Sequence, residues 1–247
     1  MMLTALLTLS ATAIADDEVQ RVASRRIFFG HQSVGANILD GVNEVSGGKL
    51  RIREGRSSAL LATPGLLHAR VGQNEAPLSK VKDFESALDS LGGAVDFAFF
   101  EFCYVDFDAS TDVDALFTEY LESAKRLEAK YPHVTFVHVT VPLTVVPQGA
   151  LAWLKATVTR QAPWGARENA VRHRFNTLLR TRLEGKPLFD LAALESSRTD
   201  GTAVTYSHDG QSLPALVAEY SDDGQHLNTV GQRRIAEALL TFLARFP

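Results

Sequence analysis

Short apolar runs alternate with amphipathic segments along most of this chain. The apolar runs are rich in β-branched and aromatic residues, which is typical of buried strands in a parallel sheet. We predict strands at 26–31, 49–54, 94–104, 134–143 and 186–194. Apolar residues recur at helical spacing between them, and we predict helices at 33–45, 78–91, 111–131, 167–185 and 229–246.

The repeated alternation of strand and helix predicts an α/β fold, a parallel sheet with helices on both faces. Two stretches, at about 54–77 and 195–224, resist assignment, and long irregular segments inside a compact domain often carry function. In such folds ligands gather at the carboxyl ends of the strands. The residues that follow each strand are therefore the first place to search for a site.

The composition fits one domain and excludes some partners. With 247 residues and 45% hydrophobic content the chain can bury a sizeable core, and we predict a single domain over 16–247. The net charge is −4 and Lys and Arg form no dense stripe, so no nucleic-acid partner is expected. Cys103 is the only cysteine, which excludes an internal disulfide and is typical of a small buried side chain.

The first residues, MMLTALLTLSATAIA, form an uncharged apolar run that ends in small residues and is followed by Asp16 and Asp17. Ala13 and Ala15 match an A-x-A cleavage site, so we predict a signal peptide over 1–15 and export to the periplasm or the medium. A positively charged start is missing, and an N-terminal anchor helix or a wrongly assigned start are the alternatives. The run is short for a membrane span, so no stable membrane insertion is expected after cleavage.

Three residues near the expected edge of the sheet have the side-chain types of a nucleophile, a base and an acid. Ser33 follows the first strand, and Asp223 and His226 precede the last helix in DDGQHLN. A serine hydroxyl becomes a strong nucleophile when an imidazole removes its proton, and a carboxylate fixes the tautomer of that imidazole. We therefore predict that Ser33 attacks, His226 acts as the base and Asp223 orients His226.

Each of these residues also has an ordinary structural interpretation. A serine before a helix is often its N-cap, a lone histidine is often a surface residue, and an aspartate before a glycine often starts a turn. Asp222 and Asp190 are alternative acids for His226. The sequence leaves these alternatives open.

The segment HQSVG, residues 31–35, is similar to the G-x-S-x-G nucleophile elbow except at its first residue. That elbow belongs late in its sheet, whereas Ser33 follows the first strand of the mature chain. The position argues against the α/β-hydrolase fold and for a sheet whose first strand carries the nucleophile.

The layout resembles the SGNH/GDSL hydrolase superfamily. In that family the nucleophilic serine follows the first strand in a Gly-Asp-Ser motif, and an Asp-x-x-His motif precedes the final helix. Here GHQS (30–33) stands at the first place and DGQH (223–226) at the second. The resemblance implies a three-layer α/β/α sandwich of the flavodoxin-like kind, with a five-stranded, mostly parallel sheet. The order of the predicted elements matches the family over almost the whole mature chain, whereas the amino acids themselves match in two short motifs.

The chain departs from the family pattern at the oxyanion hole. The family supplies a glycine after its second strand and an asparagine after its third. Gly72 in RVGQN matches the glycine, whereas FEFCYVD after the third strand has no asparagine, so Asn74 is the predicted substitute. These two residues and the backbone N–H of Ser33 are the predicted oxyanion donors, although Gly72 and Asn74 are also ordinary turn residues.

Other residues near the expected site have simpler expected roles. Glu101 lies within an apolar strand, where a buried carboxylate needs a partner, so we expect an arginine from a neighbouring helix or a place lining the pocket. Structural packing is the simplest role of Tyr104 and Asp106. His31, at the end of the first strand, is expected to hydrogen-bond to a loop.

The residues and the resemblance together predict an exported serine esterase that needs no cofactor or metal ion. Its substrate would be a small ester or an acylated carbohydrate, and acetyl esters of glycans are implied by the family alone. A polysaccharide O-acyltransferase with the same three residues is one alternative, because only the acceptor of the acyl group differs. An inactive glycan-binding domain on the same scaffold is the other.

Overall fold

The computed structural model describes residues 14–149 and 162–247, together with Val158. The predicted signal peptide, 1–15, lies outside the described residues except at its last positions, Ile14 and Ala15. It stays a prediction, as does the assignment of 16–247 to a single domain.

Strands and helices alternate along the described chain. The strands are β1 (Arg26–His31), β2 (Ile52–Glu54), β3 (Gly65–Arg70), β4 (Phe97–Phe100), β5 (Thr135–Phe136), β6 (His138–Val139), β7 (Leu188–Phe189), β8 (Thr205–His208) and β9 (Gln211–Pro214). The α-helices are α1 (Asp16–Ala23), α2 (Ser33–Ser46), α3 (Pro77–Leu91), α4 (Val113–Lys130), α5 (Ala166–Arg182), α6 (Leu191–Glu195) and α7 (Thr229–Ala244). A five-stranded sheet has the order β2-β3-β1-β4-β5, and all its pairs are parallel. The predicted α/β fold is therefore confirmed.

The central strand β1 sends its side chains into two separate cores. Ile27 and Phe29 pack on one face of the sheet and Phe28 on the other, because successive side chains of a strand point to opposite sides. Helices α1, α2 and α7 cover the first face, and α3, α4 and α5 cover the second. This is the three-layer α/β/α arrangement that the resemblance implies.

The chain segments that follow β1, β3 and β4 meet at one edge of the sheet. Val71 directly follows β3, and its N–H donates to the carbonyl of His31 at 3.2 Å. Glu101 directly follows β4, and its N–H donates to the carbonyl of Gly30 at 3.1 Å. The pairing of the three parallel strands thus continues to their last residues and places the following loops side by side.

Some predicted elements are wrong in detail. Strand β3 and the antiparallel hairpin of β8 and β9 fall inside the two stretches that resisted assignment. The predicted strand at 134–143 changes its neighbour halfway, because Val137 N–H donates to Ala98 in the main sheet while His138 N–H donates to Pro187. The run therefore divides into β5 and β6, and β6 pairs with β7 instead.

Candidate active site

Ser33 is the first residue of α2 and follows the end of β1 after one intervening residue. Gln32 occupies the N-cap position, so the alternative in which Ser33 caps the helix is wrong. The Ser33 Oγ lies 3.1 Å from His226 Nε2 instead. The turn is tight enough that a Cβ at Gly35 would lie 2.3 Å from the Cβ of His31. Glycine at this position therefore permits the sharp entry into the helix.

His226 lies between Ser33 and Asp223. Its Nδ1 is 2.7 Å from Asp223 Oδ2, and Asp223 Oδ1 accepts the backbone N–H groups of His226 and Gln225, both at 2.8 Å. Burial opposes ionisation of Asp223, but these hydrogen bonds outweigh it and hold the pKa of the carboxyl well below its usual range. An ionised carboxylate accepts the Nδ1 proton, which leaves Nε2 as the acceptor that faces Ser33.

The other acids near His226 in the sequence have different partners. Asp222 Oδ1 accepts a hydrogen bond from Asn228 Nδ2 at 3.0 Å, and Asn228 caps the N-terminus of α7. Asp190 accepts two hydrogen bonds from Arg180, each 2.7 Å long. Of the three acids that the sequence left open, Asp223 is the one that contacts the His226 ring.

Glu101 is fully buried under the turn that carries Ser33. Its Oε1 accepts the N–H groups of Gln32 at 2.8 Å and Gly35 at 3.1 Å, and its Oε2 has no partner in the described part of the chain. The expected arginine partner is therefore wrong, and the carboxyl group holds the backbone of the turn that carries Ser33. Burial raises the pKa of Glu101 to about 7, although the two N–H groups oppose the shift.

We predict that Glu101 makes the stability of the fold depend on pH. The carboxyl keeps its proton up to about pH 7 in the folded chain, whereas the ordinary pKa of a glutamate side chain is 4.5. The free energy of unfolding should therefore fall as the pH rises between these values, by on the order of 3 kcal/mol. Glu101→Gln should reduce this slope in urea unfolding curves. Buried Glu195, with its pKa raised by burial to about 8, is present in both proteins, and equal slopes would contradict the prediction.

Gly72 lies in the turn after β3 with a left-handed φ of 59°, which side-chain-bearing residues rarely adopt. Its N–H donates to Asp83 Oδ2 at 2.8 Å, and Arg56 holds the same carboxylate at 2.6 Å. The predicted oxyanion donor is thus already bonded within the protein. A Cβ at this position would lie 2.5 Å from Lys80 N, so the close packing of the turn on α3 explains the glycine.

Asn74 belongs to a buried polar network. Its Oδ1 accepts a hydrogen bond from Lys80 Nζ at 3.1 Å, and Lys80 also donates to Asp106 Oδ2 at 2.5 Å. Asp106 accepts the N–H groups of Glu75 and Cys103, at 3.0 and 2.8 Å. The network joins the loop after β3 to the loop after β4. Asp106 does more than pack here, and the oxyanion role of Asn74 stays a prediction.

Tyr104 lies beside His226, although packing was its simplest expected role. Its hydroxyl lies 3.4 Å from His226 Nε2, and the two rings meet edge to face with centroids 5.6 Å apart. The Sγ of the preceding residue, Cys103, lies 4.0 Å from Ser33 Oγ. The signal in the sequence was positional, because this loop is where the family places its oxyanion asparagine.

His31 forms a histidine pair beside the turn. Its Nδ1 lies 2.7 Å from the carbonyl of Gln32, which confirms the expected bond to a loop, and its Nε2 lies 3.0 Å from His68 Nδ1. Burial lowers the pKa of His31 to about 4. The ring is therefore neutral at neutral pH and adds no positive charge next to the turn that carries Ser33.

Within 14–149 and 162–247, no group of three His, Cys, Asp or Glu side chains is placed to hold a metal ion. In the same described residues, no helix combines the length and the apolar character that crossing a membrane requires. The expectations of no metal ion and no cofactor stay predictions.

Comparison with known proteins finds solved structures with a similar fold. No family model and no curated protein matches the chain. A lipase/acylhydrolase from Enterococcus faecalis superposes with a TM-score of 0.53 at 14% identity, over 90% of this chain and 96% of its own. The psychrotrophic esterase EstA from Pseudoalteromonas sp. gives 0.51 at 10% identity, over 89% and 97%. An acetyl xylan esterase, AlAXEase, gives 0.50 at 15% identity, over 87% and 97%.

These similarities establish the fold of the chain. It is the three-layer α/β/α fold of these solved structures, with a five-stranded parallel sheet, so the predicted fold class is confirmed. The three solved structures are named as a lipase/acylhydrolase, an esterase and an acetyl xylan esterase. Identities this low leave the activity of the chain to be argued from its own side chains.

Proposed function

We propose that the chain hydrolyses ester bonds with Ser33 as the nucleophile, His226 as the base and Asp223 as the residue that orients His226. One observation carries the proposal, the line of hydrogen bonds from Asp223 Oδ2 through His226 to Ser33 Oγ, 2.7 and 3.1 Å long. These are the contacts that a serine nucleophile needs. The fold, which solved esterases share, supports the same conclusion.

The first half of the reaction transfers the acyl group to the protein. His226 Nε2 takes the proton of the Ser33 hydroxyl while Oγ forms a bond to the ester carbonyl carbon. The π electrons of the carbonyl move onto its oxygen and give a tetrahedral oxyanion. When this intermediate collapses, the bond to the alcohol oxygen breaks and His226 returns the proton to that oxygen. Asp223 stabilises the imidazolium that exists between the two proton transfers.

The second half of the reaction releases the acyl group to water. His226 takes a proton from water, whose oxygen attacks the acyl carbon, and the proton then returns to Ser33 Oγ as the carboxylic acid leaves. The side chains of His226 and Asp223 are 37% and 51% exposed, which supports access of water to the site. An acyltransferase would use the same side chains with a sugar hydroxyl as acceptor. Product analysis in the presence of a glycan acceptor separates the two reactions.

We also propose that the substrate is an acylated carbohydrate outside the cytoplasm. The support is the indole of Trp164, which is 53% exposed and whose Cζ3 lies 3.6 Å from the position of a Cβ at Gly224. Gly224 follows Asp223 directly, so an exposed aromatic face borders the loop that carries two of the three proposed residues. An amphipathic aromatic ring suits a ligand that is partly apolar and partly hydrated, as a sugar ring is. Export rests on the N-terminal pattern.

A serine-directed fluorophosphonate probe tests the proposed nucleophile. We expect the probe to label Ser33 in peptide mass spectrometry of the purified protein, because only an activated serine attacks phosphorus readily. Ser33→Ala should abolish labelling and His226→Ala should strongly reduce it. Ser46→Ala is the matched control, because this serine of α2 bonds to Asn43 and lies at the other end of the helix. A folded protein that is not labelled and cleaves no simple ester would contradict the proposal.

A further inference from the structure

The proposed reaction needs hydrogen-bond donors for the oxyanion, and the predicted donors are incompletely available. The N–H of Ser33 lies in the first turn of α2, where no carbonyl of the helix can accept it, and it has no acceptor among the described residues. The N–H of Gly72 is used by Asp83. Asn74 Oδ1 accepts a hydrogen bond from Lys80 Nζ, which holds this side chain in the buried polar network, and its NH₂ group is the part that can donate. One free backbone donor therefore lies beside the nucleophile, and a second donor must come from a side chain.

The Tyr104 hydroxyl lies where such a donor is needed. It is 3.4 Å from His226 Nε2, and Ser33 Oγ is 3.1 Å from the same nitrogen. An oxygen within hydrogen-bond range of the same nitrogen as the nucleophile borders the space that the reacting carbonyl enters. Nε2 has one lone pair and accepts one strong hydrogen bond. When Ser33 donates to it, the hydroxyl of Tyr104 is free to donate to a substrate.

We propose that Tyr104 is a catalytic residue whose hydroxyl donates a hydrogen bond to the oxyanion, in place of the asparagine that the SGNH/GDSL pattern has after this strand. The inference rests on the proposed ester hydrolysis at Ser33. As Oγ bonds to the carbonyl carbon and the π electrons move onto oxygen, the O–H of Tyr104 and the N–H of Ser33 converge on that oxygen. Neither group loses its proton, so the proton balance stays between Ser33, His226 and the leaving alcohol.

The surrounding structure holds Tyr104 in one place before any substrate binds. Arg172, itself buried, donates from Nε to the Tyr104 carbonyl at 3.0 Å, and its guanidinium carbon lies 5.8 Å from the centre of the Tyr104 ring. Asp106 accepts the N–H of Cys103 at 2.8 Å and so fixes the residue just before. Donors fixed in advance need no reorganisation when negative charge develops, which is the main source of oxyanion stabilisation.

The protonation state of Tyr104 suits a donor. Burial raises its pKa to about 12, with the nearby Cys103 and Asp223 acting in the same direction. The phenol therefore stays neutral at neutral pH. The positive end of the α2 helix dipole also points to the oxyanion. The neutral Tyr104 donor and the helix N-terminus therefore stabilise its negative charge together.

Tyr104→Phe tests the proposal with little change in shape. The variant keeps the ring and the backbone bond to Arg172, and we expect kcat to fall about 100- to 1000-fold, as when one oxyanion donor is removed elsewhere. KM should stay nearly constant, because the interaction forms mainly in the transition state. Tyr120→Phe is the matched control, since this buried tyrosine bonds to His138 in the core on the other face of the sheet. It should keep the wild-type kcat per folded molecule.

A thionoester substrate separates an oxyanion donor from a residue that only orients His226. Sulfur is a weak hydrogen-bond acceptor, so the wild type should prefer the oxygen ester to its C=S analogue. In Tyr104→Phe this preference should fall at least about 10-fold, because the donor that favours oxygen is gone. A residue that acts through His226 would slow both substrates equally.

The outcomes distinguish this inference from the proposed function. If the wild type cleaves esters and Tyr104→Phe keeps kcat within about threefold, the tyrosine role is overturned and the function stands. An unchanged oxygen-to-sulfur preference in a slowed variant also overturns it, as does a loss of this preference in Asn74→Ala alone. A wild type that neither cleaves esters nor reacts with the fluorophosphonate fails the proposed function, and this inference with it.

Discussion

Asp223→Asn is expected to lower kcat for ester cleavage by about 10⁴-fold, the loss seen when a triad aspartate becomes an amide. The asparagine side chain has almost the same shape, and its oxygen can still accept the N–H groups of His226 and Gln225 that Asp223 binds at 2.8 Å. Its NH₂ group, however, would face Nδ1. The ring would then accept at Nδ1 and carry its proton on Nε2, where it cannot take the proton of Ser33.

The neighbouring Asp222 provides the matched control. Asp222→Asn changes the same charge one residue away, but the carboxylate it removes faces Asn228 at the start of α7. An amide oxygen can accept that bond equally well, so kcat should stay within about threefold of the wild type. Both variants should unfold within about 1 kcal/mol of the parent, because Asp223→Asn keeps two backbone partners and Asp222→Asn keeps its bond to Asn228.

The pair of variants also decides a choice that the sequence left open. Equal losses in both variants would indicate that the charge of the loop matters rather than the contact with Nδ1. A loss of kcat confined to Asp222→Asn would mean that Asp222, and not Asp223, orients His226. A loss confined to Asp223→Asn, with the pH dependence of the remaining rate altered, is the result that the geometry predicts.

The proposed nucleophile, base and acid could be predicted because each adjoins an element with a clear pattern. Ser33 lies between an apolar strand and an amphipathic helix, and the bond of Asp223 to His226 spans three residues just before α7. Local spacing was enough to bring the acid and base together. The approach of Ser33 to His226 required the fold, which the strand–helix alternation also predicts.

The surroundings of the predicted oxyanion donors could not be predicted, because they depend on loops. Gly72 has the expected position after its strand, yet its N–H meets Asp83 from α3, eleven residues along the chain. The distance of Tyr104 from His226 joins residues 122 positions apart. Hydrophobic periodicity predicts helices and strands, but it does not predict contacts between side chains that are far apart in the sequence. Strand β3 itself lay in a stretch without a clear pattern. Only a structure shows whether a side chain such as that of Asp83 already accepts a hydrogen bond from the predicted donor.

Lys80→Met is expected to reduce the free energy of unfolding by about 3–5 kcal/mol, the effect of breaking a buried ion pair from one side. The side chains of Lys80 and Asp106 are both 0% exposed, and their charged atoms are 2.5 Å apart. Without the lysine, the Asp106 carboxylate stays buried with only two backbone N–H groups as donors. Urea unfolding followed by circular dichroism measures the change.

The matched control is Lys130→Met, which breaks an ion pair of similar length, 2.7 Å, whose members Lys130 and Asp89 are 55% and 50% exposed. Solvent screens such a pair, so the change should stay within about 1 kcal/mol. If both variants lose the same stability, burial is not the cause of the effect. Adding Asp106→Asn to Lys80→Met should recover part of the loss, because a neutral amide oxygen still accepts the N–H of Cys103 without an unpaired charge.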